Sequence, residues 1–445
     1  MAPLTDVGEY GRAAEMYAWD RNELRKKISK LIKKANDAGV AEGSRSPRFE
    51  KHSNSCIRRL GGGYFFEWVH ACRTSCETCY YYKLFYVRIM ALPAHRRVAA
   101  PMVGCSDLAF RLLCRRYGAD LTYTEMLYAD RFVGDEEYRQ TYFLSQISSA
   151  DRPLVVQFGG NDAPTLVAAA LLAQPHCDAV DLNLGCPQKR ACEGLYGAYL
   201  ADREHWPRVF AIVRALVDAL AVPVFCKIRL QPTLAETVRF ARGLQAAGCG
   251  LLAVHGRQRG SATRRRAGPA DLSAVRAIKH ALRIPVLTNG NVRRASDIEA
   301  ALRRTRADGA MVAEPLLRNP SILQHGAADR PSLRHRLLLL LEYLELAAAH
   351  PPPELQYARH HLSWGLGRDG AGARLRYKHV AQLVDAPALR EALTAATSLH
   401  QLREVVTELV QRLDDAEAAR VSVHEEAARS VGTRAFWCGG VVVFE

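Results

Sequence analysis

Eight short apolar runs alternate with amphipathic stretches between Arg97 and about Leu323, and this alternation constrains the fold more than any other feature. The apolar runs are rich in Val, Leu and Ala, as buried parallel strands are, and the stretches between them carry helical spacing and N-terminal caps. Repeated strand–helix units of this kind predict an α/β fold with a parallel sheet. The predicted strands are Val98–Ala100, Leu121–Tyr123, Leu154–Gln157, Ala179–Leu182, Val224–Ile228, Leu251–Val254, Val286–Thr288 and Ala310–Val312.

Two architectures contain such units, an open doubly wound sheet and a closed (β/α)₈ TIM barrel. An open sheet of the dinucleotide-binding type would carry a Gly-rich phosphate loop after its first strand. Here the first strand runs into Pro101-Met-Val-Gly-Cys105 instead. We therefore predict a TIM barrel over residues 96–330.

The regions on either side of the barrel differ from it in composition. Residues 331–413 have helical apolar spacing and predict a small C-terminal helical domain. Residues 414–445 start acidic and end in an apolar run, and we expect a poorly ordered tail. Residues 1–95 combine a basic stretch, a polar linker and a Cys and Tyr cluster, and the pattern leaves the order of this extension open.

The longest strongly apolar run, Leu337–Leu341, is far shorter than the roughly 20 residues that a membrane helix needs, so no membrane partner is expected. The first 30 residues mix acidic and basic side chains without an apolar core, unlike a secretory signal. We expect a cytoplasmic or nuclear protein. Most of the twelve cysteines should be reduced thiols, since several lie in strand-like apolar segments.

The formal net charge of +15 is high for an enzyme of small neutral metabolites. A basic surface of this size favours a polyanionic partner such as nucleic acid. Charge alone does not distinguish RNA, DNA and an anionic membrane.

Polar and loop residues recur where the predicted strands end. In a TIM barrel the loops after the strands converge over one face and carry the functional groups. Any one of these residues could have a purely structural role, but such a role is a weak explanation for the whole set at equivalent positions. The residues are Pro101, Met102, Val103, Gln157, Asn183, Lys227, His255, Asn289, Gly290, Asn291, Ala313 and Glu314.

These residues suit a flavin mononucleotide (FMN) at the barrel mouth. The isoalloxazine ring needs amide groups at its pyrimidine edge, which Gln157 offers, and a cation near N1, which Lys227 offers. His255 is predicted to approach the ring or the phosphate. Phosphate sites recur after strands seven and eight of this fold, where Asn289–Asn291 and Ala313-Glu314 lie. The loop Pro101–Val103 is assigned to the same cofactor set.

Cys186 lies in the loop after the fourth strand. A thiol there can act as a nucleophile, a metal ligand or a proton donor. The metal role fits poorly, because Cys192 gives only a C-x₅-C spacing and no other ligand is near in sequence, and no metal is predicted. A thiol with the reference pKa near 8.5 is mostly protonated at pH 7, so proton donation is the favoured role.

The ordered motifs of the chain resemble those of the tRNA-dihydrouridine synthase family, from about Arg97 to about Leu413. Some are most similar to eukaryotic members that modify positions sixteen and seventeen of the D-loop, including Glu125-Met-Leu-Tyr-Ala129 and Arg318-Asn-Pro320. The family motifs are Asp181-Leu-Asn-Leu-Gly-Cys-Pro-Gln188, Tyr196-Gly-Ala198, Cys226-Lys-Ile-Arg229, Val254-His-Gly-Arg257 and Thr288-Asn-Gly-Asn291.

The resemblance implies that NADPH reduces FMN, that hydride passes to C6 of a uridine, and that Cys186 protonates C5. It also implies that the uridine leaves the base stack of the tRNA to enter the barrel mouth. Asn183, Arg229 and Arg257 are then expected to contact the substrate. The helical domain and the basic barrel loops are expected to hold the tRNA backbone, and the candidates in one basic loop are Arg257, Arg259 and Arg264–Arg266. A monomer is expected.

Some features depart from the family or lie outside it. Cys192 stands where related sequences often have Lys, which leaves the affinity for tRNA and the choice of uridine open. Cys72-x₃-Cys76-x₂-Cys79 has the spacing of an iron–sulfur motif, but an iron–sulfur cluster is disfavoured because the motif precedes the barrel. A zinc site that includes Cys56 is the alternative. Another flavin-dependent barrel enzyme, or an RNA-binding protein on a barrel scaffold, remain as alternative functions.

Overall fold

In this computed structural model the described residues are 26, 29, 30, 93–260, 268–367, 383–431, 435–438 and 441–444. Eight parallel strands follow one another around a closed barrel, which the pairing of the first strand with the eighth completes. The TIM-barrel prediction is confirmed. The strands are β1 Arg97–Ala99, β2 Leu121–Tyr128, β3 Leu154–Gly159, β4 Ala179–Leu184, β5 Val224–Leu230, β6 Leu251–Gln258, β7 Val286–Asn289 and β8 Gly309–Val312.

Several strands extend beyond their predicted ends toward the barrel mouth. Strand β2 was predicted to stop at Tyr123, because Thr124 and Glu125 interrupt the apolar run, yet it continues to Tyr128. Its pairing with β3 shifts register between Tyr123 and Met126, as a bulge would produce, and then resumes as far as Gly159. Pairing in the closed sheet therefore overrides the local pattern.

The chain forms two compact units, and the first holds all eight strands. It comprises the described chain as far as Pro101 together with 120–292 and 297–312. Side chains between the strands and the surrounding helices form its main core. The helices are α2 Ala129–Gly134, α3 Glu136–Tyr142, α4 Ala163–Ala173, α5 Lys189–Glu193, α6 Trp206–Ala219, α7 Leu234–Ala246, α8 Leu272–Ala281 and α9 Ala295–Thr305, of which the first two residues of α9 fall in the second unit.

Local capping explains where several of these helices begin. The side chain of Asp162 accepts a hydrogen bond from the backbone N–H of Thr165 and starts α4. Thr233 and Glu236 form a reciprocal capping box at the start of α7. Caps of this type satisfy N–H groups that would otherwise lack partners in the first turn.

The second unit comprises 102–119, 293–296 and the chain from Ala313 onward. In this unit Asp107 caps the helix α1, Leu108–Arg116, and is fully buried; it accepts hydrogen bonds from Nε2 of His361 at 2.7 Å and from the hydroxyl of Tyr343 at 3.3 Å. The first helix of the barrel repeat thus packs with the C-terminal helices. The helices are α1 Leu108–Arg116, α10 Glu314–Arg318, α11 Leu333–Ala349, α12 Leu355–Gly365, α13 Ala386–Ala395 and α14 Leu399–Val431.

The C-terminal half differs from the predicted boundaries. The second unit begins at Ala313, whereas the helical domain was predicted from 331, and it also takes in 102–119 and 293–296. In the described part of 414–445, where a poorly ordered tail was expected, α14 continues to Val431 and a hairpin pairs β9 Ala435–Cys438 with β10 Val441–Phe444. Ala, Glu and Arg after position 414 are strong helix formers, and a Gly-Gly pair between two apolar runs is a hairpin signal.

Within the described residues, no helix is long and apolar enough to cross a membrane.

Candidate active site at the barrel mouth

Strand pairing aligns polar side chains near the C-terminal ends of the strands. Gln157 pairs with Asp181 on the next strand, and Asn183 pairs with Lys227. Residues paired in a parallel sheet point to the same face, so each pair lies side by side. The register therefore brings together the predicted residues of β3, β4 and β5, and it adds Asp181, which sequence analysis missed. A lone acidic residue within a buried Val and Leu strand was the available signal.

Hydrogen bonds link three of these side chains in series. Nε2 of Gln157 donates to Oδ2 of Asp181 at 2.8 Å, and Nδ2 of Asn183 donates to Oε1 of Gln157 at 2.9 Å. All three side chains are buried. The amide of Gln157, predicted to meet a flavin, is thus held in one orientation by its neighbours and keeps one N–H for another partner.

The loop that carries Cys186 is held by Asn183. Oδ1 of Asn183 accepts hydrogen bonds from the backbone N–H groups of Gly185 and Cys186, both at 3.0 Å. Gly197, with φ at +64°, lies so close to this loop that a Cβ there would be 2.7 Å from the carbonyl oxygen of Cys186. Both the positive φ and this close approach require a glycine at position 197. The thiol of Cys186 is half-buried.

Arg229 fastens the same loop from the next strand. Its Nε donates to the carbonyl of Gly185 at 2.8 Å, and its Nη1 donates to the carbonyl of Gln258 at 3.1 Å. The side chain is buried. Arg229 was predicted to contact the substrate; that contact stays a prediction, whereas the contacts of the side chain show a residue that positions the Cys186 loop.

Burial shifts the pKa values of the two charged groups inside the barrel. Desolvation, reinforced by Arg229, lowers the pKa of Lys227 to about 8. Desolvation raises the pKa of Asp181 to about 7, although the hydrogen bond from Gln157 and the charge of Lys227 oppose the shift. Within the described residues Oδ1 of Asp181 has no hydrogen-bond partner. A buried acid beside a half-buried base, each with its pKa shifted toward neutrality, is typical of functional sites.

The raised pKa of Asp181 predicts a pH-dependent effect of Asp181→Asn on stability. Because the folded-state pKa of about 7 lies above the ordinary 3.8, the folded state binds the extra proton, and the free energy of unfolding falls as pH rises from about 4 to about 7. The amide can still accept from Gln157 but carries no charge. We expect the variant to gain several degrees in Tm over the wild type at pH 8 and much less at pH 5.

Thermal unfolding at both pH values measures this difference. Asp218→Asn, a change at an exposed carboxyl, is the matched control and should leave Tm nearly unchanged at either pH. If Asp181→Asn changed Tm by the same amount at pH 5 and pH 8, the ionisation of Asp181 would not be what destabilises the wild type at pH 8.

The ends of β6 and β7 form a second part of the site. Nη1 of Arg257 donates to Nε2 of His255 at 2.9 Å, and its Nη2 donates to Oδ1 of Asn291 at 3.1 Å. Gly290 has φ at +115°, and a Cβ there would lie 2.7 Å from Cβ of Ala270. Nδ2 of Asn289 donates to the carbonyl of Met311 at 2.7 Å and spans the two last strands.

The predicted residues after β1 and β8 fall mostly in the second unit. Pro101 belongs to the first unit, whereas Met102 and Val103, which follow it, belong to the second. The backbone N–H of Met102 donates to Oγ of Ser106 at 2.9 Å. In the same unit Ala313 precedes α10 and Glu314 begins it.

A family model described as dihydrouridine synthase (Dus) matches residues 97–413, which is most of the chain. The chain belongs to the dihydrouridine synthase family. The predicted family is thereby confirmed, and the polar groups at the barrel mouth lie within the matched region.

Curated relatives agree with the family. A tRNA-dihydrouridine(16/17) synthase-like protein of Rattus norvegicus is 45% identical over 61% of this chain and 60% of its own length. The tRNA-dihydrouridine(16/17) synthase of Schizosaccharomyces pombe is 40% identical over 51% of this chain and 57% of its own. A probable tRNA-dihydrouridine synthase of Rhizobium leguminosarum is 33% identical over 62% of this chain and 86% of its own. The chain thus spans little more than half the length of the first two of these relatives.

The structure describes only some of the other residues that sequence analysis singled out, namely Cys192 and part of the basic loop. Cys192 is exposed on α5, beside the exposed Lys189. Nη1 of Arg259, in the basic loop, donates to Oδ2 of Asp202 at 2.7 Å, and its guanidinium lies over the ring of Tyr199. Arg264–Arg266 and the Cys56, Cys72, Cys76 and Cys79 cluster lie outside the described residues. Among the residues that are described, no group of three or more His, Cys, Asp and Glu side chains could hold a metal.

Proposed function

We propose that this member of the family reduces uridine to 5,6-dihydrouridine in tRNA, with FMN as cofactor and NADPH as reductant, at position sixteen or seventeen of the D-loop or at both. The observation that carries the proposal is the Cys186 loop. Asn183 and Arg229 fix its backbone, and the thiol is held near Lys227, whose pKa responds to it. A fixed thiol beside a buried cation suits proton delivery to a carbon that is being reduced.

The residues at the barrel mouth fit a flavin. Lys227 makes no hydrogen bond or ion pair with another described residue, although desolvation lowers its pKa. An anionic ring edge would supply an acceptor for its ammonium group. The remaining N–H of Gln157 would meet the pyrimidine edge, and Arg257 with the Gly290-Asn291 turn would hold the phosphate.

When bound, FMN would supply the hydride for C6 of the uracil ring, with NADPH as the source of its electrons. Hydride addition at C6 would leave the electron pair of the C5–C6 double bond at C5, where a proton is needed. Sγ of Cys186 gives its proton to C5, and water later returns a proton to the thiolate. Asn183 and Arg229 keep the loop in place during this transfer. Each cycle thus adds one hydride and one proton to the uracil.

The remaining support for an RNA substrate is electrostatic and chemical. The net charge of +15 favours a polyanion. C5 and C6 of a stacked uracil are out of reach of a thiol inside a barrel, so the base must leave the stack, as in other enzymes that act on bases. An unpaired loop loses the least stacking and pairing energy in this step, which agrees with a D-loop target.

Purified protein should be yellow and should form dihydrouridine in tRNA that lacks it when NADPH is supplied. The test uses tRNA from cells without dihydrouridine synthases and maps the product by mass spectrometry of nuclease fragments. We expect dihydrouridine at position sixteen, position seventeen or both. A colourless preparation that binds tRNA tightly but forms no dihydrouridine would overturn the proposal in favour of an RNA-binding role.

A further inference from the structure

A cavity of about 420 Å³ lies within the barrel unit, at the ends of β2 and β3 and against α5. Its size falls in the range of about 300–1,000 Å³ that is typical of sites for small ligands. Tyr196 lines it and also packs in one cluster with Met126 and Cys186. The cavity therefore neighbours the loop that carries the thiol, but it is lined by other residues.

An aromatic ring and a guanidinium form one wall of this cavity. Cζ of Arg190 lies 4.4 Å from the centroid of the Tyr128 ring. Within the described part of the chain the guanidinium makes no hydrogen bond or ion pair, and the Arg190 side chain is exposed. Tyr196 meets the edge of the Tyr128 ring with centroids 5.8 Å apart, and its hydroxyl donates to that of Tyr128 at 3.4 Å, so the ring is held in place.

The other charged groups near the cavity are mostly paired. Arg131 forms an ion pair with Asp135 at 3.1 Å, and Glu193 forms one with Lys189 at 3.4 Å. Asp162 is occupied in capping α4. Asp130 adds a negative charge at the rim, which disfavours a free multivalent anion. The wall thus offers a flat cation–aromatic stack with unused donors instead of a general anion site.

We propose that this cavity binds the nucleotide next to the target uridine in the tRNA loop. Single-stranded RNA is held by stacking of its bases on aromatic rings and Arg guanidinium planes, and by hydrogen bonds to base edges and phosphates. Arg190 and Tyr128 supply both features beside the Cys186 loop. The inference rests on the proposed function and adds a site that selects which uridine reaches the thiol.

The test compares Arg190→Ala with Lys189→Ala. The two changes remove the same charge from adjacent exposed residues of α5, but only Arg190 lines the cavity. Stacking of one base contributes about 1–3 kcal/mol, so we expect Arg190→Ala to weaken tRNA binding and raise the KM for tRNA by about 5- to 150-fold. Lys189→Ala should change both by less than about 3-fold. FMN content and the KM for NADPH should stay at wild-type values.

Substitutions at Tyr128 distinguish the effect of base stacking from the effect of charge. Tyr128→Phe keeps the ring and should bind tRNA nearly as the wild type does, whereas Tyr128→Leu should resemble Arg190→Ala. Mapping of the product should also show a changed ratio of dihydrouridine between neighbouring positions in Arg190→Ala. The Tm of each variant checks that the fold is kept, and Arg190→Ala compared with Lys189→Ala provides the test if Tyr128→Leu fails to fold.

Several outcomes would overturn this inference. Equal tRNA affinity of Arg190→Ala and Lys189→Ala would show that the cavity holds no nucleotide of the tRNA. A raised KM for NADPH with unchanged tRNA affinity would assign the cavity to the reductant. Binding of tRNA is measured by filter retention, without turnover, so the inference is decided even if the wild type forms no dihydrouridine and the proposed function fails.

Discussion

Cys186→Ala is expected to lower the rate of dihydrouridine formation by about 10²–10⁴-fold, which is the usual contribution of a positioned general acid. The alanine leaves the backbone hydrogen bonds from Gly185 and Cys186 to Asn183 in place, because those bonds involve no side-chain atom of Cys186. The loop should therefore keep its shape. The measurement is the single-turnover rate with reduced enzyme and unmodified tRNA.

The neighbouring thiol provides a matched control. Cys192→Ala removes an exposed thiol from α5 and should leave the rate within about 3-fold of the wild type. The rate at which NADPH bleaches the flavin absorbance should be unchanged in both variants, since Cys186 acts after the cofactor is reduced. Full activity of Cys186→Ala would show that another group, or water, delivers the proton.

The sequence was sufficient to predict the barrel because its strands are buried on both faces. Continuous apolar runs located all eight strands, and only their ends were misplaced. Strand β2 continues past the bulge at Thr124 and Glu125 because its pairing with β3 resumes at Met126, which a local pattern cannot show. The residues after 414 show a different limit: their Ala, Glu and Arg content can be read as acidic character or as helix propensity, and the described residues continue α14 to Val431.

The candidate site was predictable as a set of positions but not as a set of contacts. Gln157 and Lys227 were predicted to end their strands; they lie two and three residues before the ends of β3 and β5, and pairing brings them close to Asp181 and Asn183. Asp181 was missed because its role depends on a hydrogen bond to the neighbouring strand. Arg229 was assigned to substrate from its motif, whereas its donors reach the backbone carbonyls of Gly185 in the Cys186 loop and of Gln258 at the end of β6.

Lys227→Met is expected to lower the rate of uridine reduction by about 10²–10³-fold, the range observed when one preorganised electrostatic group is removed from an active site. In the wild type the pKa of about 8 means that Lys227 is charged below pH 8 and loses its charge as pH rises through that value. The wild-type rate should therefore fall above about pH 8. Lys227→Arg keeps its charge, so its rate should not fall there.

Lys227→Met should raise the stability of the protein although it lowers its activity. Because the folded-state pKa of Lys227 is lowered from 10.5 to about 8, its charged form is disfavoured by folding; stability is lower below pH 8 and rises between about pH 8 and 10.5. Lys227→Met removes the buried charge, so Tm at pH 7 should rise while activity falls. A residue with only a structural role would lose stability and activity together. A fall in Tm for Lys227→Met, or an unchanged alkaline limb in Lys227→Arg, would contradict the assignment of this lysine as the buried cation of the active site.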